Sequence, residues 1–178
     1  MDLVIASTNL HKIRELREML KTIRGFSFDI LSLRNFPDYE PAPEEGTSLQ
    51  EICIIKAENA AKALQKWVLA DDSALFVPAI GGDPGIHSRR YAGEDATDME
   101  NRKKLLTAMQ GLGEEKRQAY YECCLALAGP NGLKKSATGI CEGFILTEER
   151  GRGGFGYDAL FSKHEYDKSF AEIDENTK

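Results

Sequence analysis

No apolar run in this 178-residue chain approaches the roughly 20 residues needed to span a bilayer, so no membrane segment is expected. The N-terminus, Met1-Asp2-Leu3-Val4-Ile5-Ala6, carries no basic region and soon turns polar, so a secretory signal peptide is not expected. Positive charge is in deficit: 23 Lys and Arg against 29 Asp and Glu leave a net charge of −6, which argues against bulk attraction to nucleic acid. A local basic pocket for a small anion stays open, because net charge says nothing about local fields. The four cysteines, Cys53, Cys123, Cys124 and Cys141, form no C-x-x-C pair and no Cys/His zinc spacing, so free thiols in a reducing cytoplasm are expected. The histidines His11, His87 and His164 are widely spaced and offer no Ser-His-Asp arrangement. A Walker A pattern is absent.

Strand and helix patterns intermingle along a length that fits one domain, residues 1–178. Leu3–Ala6 reads as a buried strand, Ser7-Thr8-Asn9 as a polar break, and Ile13, Leu16, Leu20 and Ile23 recur at helical spacing. Phe28–Leu33 reads as a second strand and the Pro-rich stretch to Gly46 as an exposed loop. Ser48-x-x-Glu51 opens a helix to about Lys66, and Thr97-x-x-Glu100 opens another to about Gln110. Trp67–Ala70 reads as a short strand ending at Asp71-Asp72-Ser73, with extended structure resuming at Leu75. Ala119–Ala128 reads as a long strand, Gly129-Pro130-Asn131-Gly132 as a turn, and Lys135–Gly139 and Gly143–Thr147 as further strands. On a strand, Cys123 and Cys124 point to opposite faces. The pattern predicts an α/β protein with a mixed sheet.

Several segments carry chemistry. A polar loop leading into a helix N-terminus exposes backbone N–H groups at the positive end of the dipole. Ser7, Thr8 and Asn9 add side-chain donors there and Lys12 a full charge, which together suit phosphate; plain N-capping is the alternative. Asp71-Asp72-Ser73 places two acids at an apolar strand end, where ligand sites collect and a carboxylate can hold Mg²⁺; a capped turn is the alternative. Glu44 and Glu45 enter only if the fold brings one of them near Asp72. Lys56, among apolar helix neighbours, either snorkels to solvent or reaches a phosphate. Gly151–Gly156 formally matches G-x-G-x-x-G. Only 22 residues follow Gly156, too few for the βαβ unit a dinucleotide fingerprint needs. Phe155 or Tyr157 can instead stack on a base while glycine-freed backbone groups read its edge; a tight loop whose aromatics plug the core is the alternative.

Taken in order, Ala6–Lys12, Glu44–Leu49, Ile55-Lys56-Ala57, Leu69–Ser73, Gly81–Ile86, Arg90–Gly93, Cys124–Ala128, Gly154–Asp158 and Lys168–Glu172 resemble the non-canonical purine nucleoside triphosphate pyrophosphatases, the inosine triphosphatase family. The resemblance covers nearly the whole chain. It implies a long curved mixed β-sheet flanked by helices, two lobes with a central cleft, a cytoplasmic homodimer, and Mg²⁺-dependent hydrolysis of ITP, dITP and XTP to the monophosphate and pyrophosphate. By the same resemblance Ser7, Thr8, Asn9 and Lys12 bind the triphosphate and Ser73 contacts substrate. Asp72 serves the metal and the attacking water, and Lys56 shares in catalysis. Glu44 is a second metal ligand with Glu45 as its competitor. Phe155, Gly156, Tyr157, Asp158 and Lys178 approach base and sugar.

The chain departs from the family pattern at Cys53, Ala74, His87 and Ala159. Ala74, in place of glycine, strains the backbone only if φ is positive there. The family continues with a base-reading Ser-His-Arg segment past the position of Lys178, so a missing C-terminal segment is expected. The alternatives are a Maf-type pyrophosphatase acting on other modified nucleotides, or a non-catalytic nucleotide-binding relative.

Overall fold

The computed structural model describes residues 2–25, 29–41, 43 and 46–174. It is an α/β fold on a mixed sheet. Among the described residues the strand order is β2-β1-β3-β5-β6-β7, with β4 paired to β3. The strands are β1 (Asp2–Ile5), β2 (Asp29–Ser32), β3 (Trp67–Phe76), β4 (Pro84–Gly85), β5 (Gln118–Gly129), β6 (Gly132–Ile145) and β7 (Phe161–Lys163). The helices are α1 (Leu10–Lys21), α2 (Leu49–Leu64) and α3 (Asp98–Ala108). No helix of the described residues is long and apolar enough to cross a membrane. The chain divides into two compact units, 1–72 with 123–139 and 73–122 with 140–178.

In the first unit β1 pairs in parallel with β2 and with β3. The connections β1-α1-β2 and β2-α2-β3 cross the sheet in opposite directions. Right-handed crossovers therefore put α1 on one face and α2 on the other. Ile13 and Leu16 of α1 pack with Ile5, Leu69 and Leu125. Those contacts fix the odd-numbered side chains of β3 and β5 toward α1, since strand side chains alternate. The even-numbered Val68, Ala70, Cys124, Ala126 and Ala128 are fully buried on the α2 face. The Cys53 thiol of α2 meets them, donating to the carbonyl oxygens of Ala70 at 3.6 Å and Cys124 at 3.2 Å. The opposite facing of Cys123 and Cys124 is thus observed, and all four cysteines are free thiols.

The second unit packs Leu75, Val77, Leu105, Met109, Ile145, Tyr157, Leu160, Phe161 and Phe170 into its own core. Here β4 lies antiparallel to β3 and β7 antiparallel to β6. Buried Arg117 donates from Nε to the Ile145 carbonyl at 2.6 Å and from Nη2 to that of Leu146 at 2.6 Å. Its guanidinium is therefore committed to backbone acceptors.

Apart from shifts of one or two residues at element ends, three boundaries differ from the sequence reading. The second strand begins at Asp29 and gives way to a 3-10 turn at Leu33, while Phe28 lies outside the described residues. β3 does not stop before the acids but runs through Asp71-Asp72-Ser73 to Phe76. Ala74 is therefore buried in extended structure, and among the described non-glycine residues only Gln65 and Glu165 have positive φ. Finally, β6 is one 14-residue strand and not two pieces, because residues 133–135 and 137–140 are exposed on both faces and show no alternation to read.

Candidate active site

The first constellation lies in the first unit. β1 delivers the chain to Ser7, whose Oγ accepts from the Asn9 N–H at 3.1 Å. Asn9 is the N-cap of α1, its Oδ1 accepting from the His11 N–H at 2.9 Å. Both capping and an anion site are compatible here. The first-turn amides of a helix lack intrahelical acceptors, Asn9 satisfies one of them, and no acid occupies that turn. Ser7 is buried, whereas Thr8 and Asn9 are exposed.

Lys12, in the same turn, projects toward β3, and its Nζ lies 3.2 Å from Asp71 Oδ2 with both side chains largely buried. Burial alone pulls the ammonium pKa down. The charge of Asp71, that of Asp72 and the Asp71 hydrogen bond more than offset it, so the net shift is upward and Lys12 is held charged. The other Asp71 oxygen, Oδ1, is buried without a hydrogen-bond partner.

The register explains why acids fit inside a strand. Ile5 pairs with Leu69, and the Ala6 N–H donates to the Leu69 carbonyl at 2.8 Å, where β1 ends. Asp71 and Asp72 thus lie beyond the carboxyl end of the neighbouring strand, the place where ligands bind in such sheets, although β3 itself continues. Alternation turns Asp71 toward α1 and half-buried Asp72 toward the α2 face. Lys56 is half-buried on α2, three residues after fully buried Cys53 and so roughly 60° around the helix from it. Cys123 shares the α1 face. Burial first and the Asp71 charge second push its thiol up to about 11, partly opposed by Lys12.

Ser73 follows in β3, half-buried. Glu44, Glu45 and Lys178 lie outside the described residues.

The second constellation is the glycine-rich loop of the second unit. The Phe155 N–H donates to Asp158 Oδ2 at 2.9 Å. Gly156 donates its N–H to Asp98 Oδ2 at 2.7 Å and accepts at its carbonyl from Arg102 Nη1 at 2.8 Å. Tyr157 is buried and its hydroxyl donates to the Ser88 carbonyl at 2.7 Å. Burial first, then the nearby Tyr91 and Asp98, drive its phenol pKa upward. Tyr157 is thus a core plug, while the half-buried Phe155 is the loop's more accessible ring. The Gly156 N–H is committed to Asp98, so it is not available to read a base edge. A Cβ at Gly154, where φ is +69°, would collide with the Asp158 carboxylate.

The sequence reading assigned no role to Asp98 and Arg102 and no partner to Asp71. Their partners are 58, 54 and 59 residues away, and nothing local signals such pairings.

The fold is thus an α/β protein that sets a helix N-terminus and a charged lysine beside a strand-borne acid pair at a sheet position where ligands collect. Residues 3–178 match the Ham1 family. The chain is 60% identical over 179 aligned positions to the dITP/XTP pyrophosphatase of Protochlamydia amoebophila, covering 100% of this chain and 89% of that one. It is 49% identical to the dITP/XTP pyrophosphatase of Chlamydia caviae, covering 100% and 86%. The solved HAM1 protein of Coxiella burnetii superposes with a TM-score of 0.87 at 35% identity, covering 99% of this chain and 89% of that one. The chain belongs to the Ham1 family, as the resemblance read from its motifs implied.

Proposed function

We propose that this protein is a nucleoside triphosphate pyrophosphatase that hydrolyses ITP, dITP and XTP to the monophosphate and pyrophosphate. Two relatives that align along the whole chain bear the name dITP/XTP pyrophosphatase, which supports the substrate class. The observation in the fold that carries the reading is the Lys12–Asp71 pair, a charged ammonium held at a helix N-terminus beside Asp72.

Ser7, Thr8, Asn9 and Lys12 are the triphosphate-binding residues in this reading. Lys12 and Lys56 offset phosphate charge, an effect that grows as the reaction passes its transition state. Asp72 orients water and takes its proton. The water oxygen bonds to the α-phosphorus in line, the α–β bridging bond breaks, and pyrophosphate leaves. Ser73 contacts substrate, and Phe155–Asp158 is the base-side segment with Phe155 as its accessible ring, Lys178 being a further candidate.

A divalent metal fits the donors present. Mg²⁺ takes one or two carboxylates, together with waters and substrate phosphates, and does not require an all-protein cage. Half-buried Asp72, beyond the last β1–β3 pair, is a hard donor of that kind. Among the described residues no group of three or more His, Cys, Asp or Glu converges on one point. Glu44 or Glu45 is the further ligand in this reading. When bound, Mg²⁺ supplies neutralisation of phosphate charge. The chain is further read as a cytoplasmic homodimer, which sedimentation analysis checks.

Pyrophosphate release from ITP, XTP, ATP and GTP, with and without Mg²⁺, tests the proposal. Metal-dependent release from ITP and XTP is expected. Equal release by an Asp72→Asn control would refute the assignment.

A further inference from the structure

Gly156 lies in the left-handed region at φ +58°, and both of its polar backbone groups run to α3. Its N–H goes to the Asp98 carboxylate and its carbonyl to the Arg102 guanidinium. Asp98 and Arg102 stand at i and i+4, so they project from one face of the helix. The guanidinium also faces the Glu149 carboxylate as an ion pair, Nε 3.0 Å from Oε1 though without a hydrogen bond from that Nε, and the Arg102 side chain is only 17% exposed.

The start of α3 does not need these two residues for its own capping. Thr97 and Glu100 form a reciprocal capping box there. Nor does the loop need them simply to close, since Asp158 already accepts from the Phe155 N–H and Tyr157 is tied to Ser88. What the pair adds is control of the peptide planes on either side of Gly156, the residue next to Phe155. Glycine has no side chain of its own to resist rotation there.

We propose that Asp98 and Arg102 are positioning residues for purine recognition. By gripping Gly156 from both ends they fix the direction of the Phe155 ring, the loop's surface for stacking on a base. This rests on the reading of Phe155–Asp158 as the base-side segment. Loss of one grip lets the peptide turn and Phe155 sample several directions. The penalty then falls on base affinity and not on phosphate chemistry. Arginine suits position 102 because its delocalised charge faces Glu149 while Nη1 donates to the Gly156 carbonyl, whereas lysine offers one compact ammonium.

The test compares the full chain with Asp98→Ala, Asp98→Asn and Arg102→Ala. It measures KM and kcat for ITP, inhibition by inorganic tripolyphosphate, which has no base, and the thermal midpoint. Both alanine variants are expected to raise KM for ITP roughly tenfold, the worth of one charge-assisted hydrogen bond. Their kcat and tripolyphosphate inhibition should move less than twofold. Asp98→Asn keeps an acceptor for the Gly156 N–H and should recover most of the KM. If Arg102→Ala does not fold, the Asp98 pair of variants decides. An ITP KM within twofold of the parent in Asp98→Ala, or tripolyphosphate inhibition weakening in step with ITP, overturns the positioning role while leaving the pyrophosphatase reading in place. A parent protein with no ITP turnover removes that reading, and this proposal with it.

Discussion

Lys12 Nζ lies 3.2 Å from Asp71 Oδ2, joining the first turn of α1 to β3 across 59 residues of sequence. The pair is largely buried, so each partner depends on the other for its charge. Asp71→Ala should destabilise the protein by about 3 kcal/mol, because it leaves an uncompensated ammonium. The double change Lys12→Met with Asp71→Leu should recover most of that loss yet remain inactive. Urea unfolding of the three proteins, alongside ITP assays, checks both statements. Full activity in the double variant would remove Lys12 from the triphosphate site.

The same pair sets a pH dependence. The Lys12 pKa is raised in the folded state above its ordinary 10.5. A raised basic group stabilises fully below its unfolded value and loses that contribution as pH climbs through the folded value. Stability should therefore be flat with respect to this group through neutral pH and fall above about 10.5, and the Lys12→Met variant should lack that component. Denaturant midpoints between about pH 8 and about pH 11.5 report it.

Asp72 faces away from Asp71 and is the residue assigned to water. Asp72→Asn should lower kcat by a factor on the order of 10²–10⁴, with KM for ITP little changed. A defect confined to KM would reassign Asp72 to binding.

Cys123 reports on the site without chemistry of its own. With its thiol near 11, alkylation by iodoacetamide at neutral pH should be slow and should rise with pH. The Asp71 charge is among the causes of that elevation, so Asp71→Asn should speed modification at Cys123. Buried Cys53, pushed higher still by burial first and then by Cys124, should react after it. Peptide-resolved mass spectrometry over time gives the order; a faster Cys53 would contradict the packing of α2 on the sheet.

Gly154 is a loop position that resists a side chain. Gly154→Ala combines positive φ with a collision at Asp158 and should cost roughly 1–3 kcal/mol. A calorimetric midpoint equal to the parent's would mean that the loop rearranges freely.

Much of the fold was legible locally. The Ser48 and Thr97 caps appear as the spacing predicts, each side chain accepting from the N–H three residues on. The Pro130-Asn131 turn joins β5 and β6 as its composition implies. The misreadings have tertiary causes. Asp71-Asp72 looked like a strand end because the cost of an acid in a sheet is met by Lys12, a residue remote in sequence. The exposed part of β6 lacks a buried face to print a period on the sequence. On the site, the phosphate loop was visible as a strand-to-helix break, whereas the grip on Gly156 was not, since neither Asp98 nor Arg102 differs locally from an ordinary surface residue of α3.

The pleat of β3 has one more consequence. Asp71 and Asp72 are chemically the same residue, and only their count from Leu69, the last partner of β1, decides which meets Lys12. Inserting or deleting one residue between Leu69 and Asp71 would exchange their faces while leaving both acids present. The parity of that short interval is therefore as much a component of the site as the carboxylates themselves. Evolution can vary the side chains around it more readily than its length.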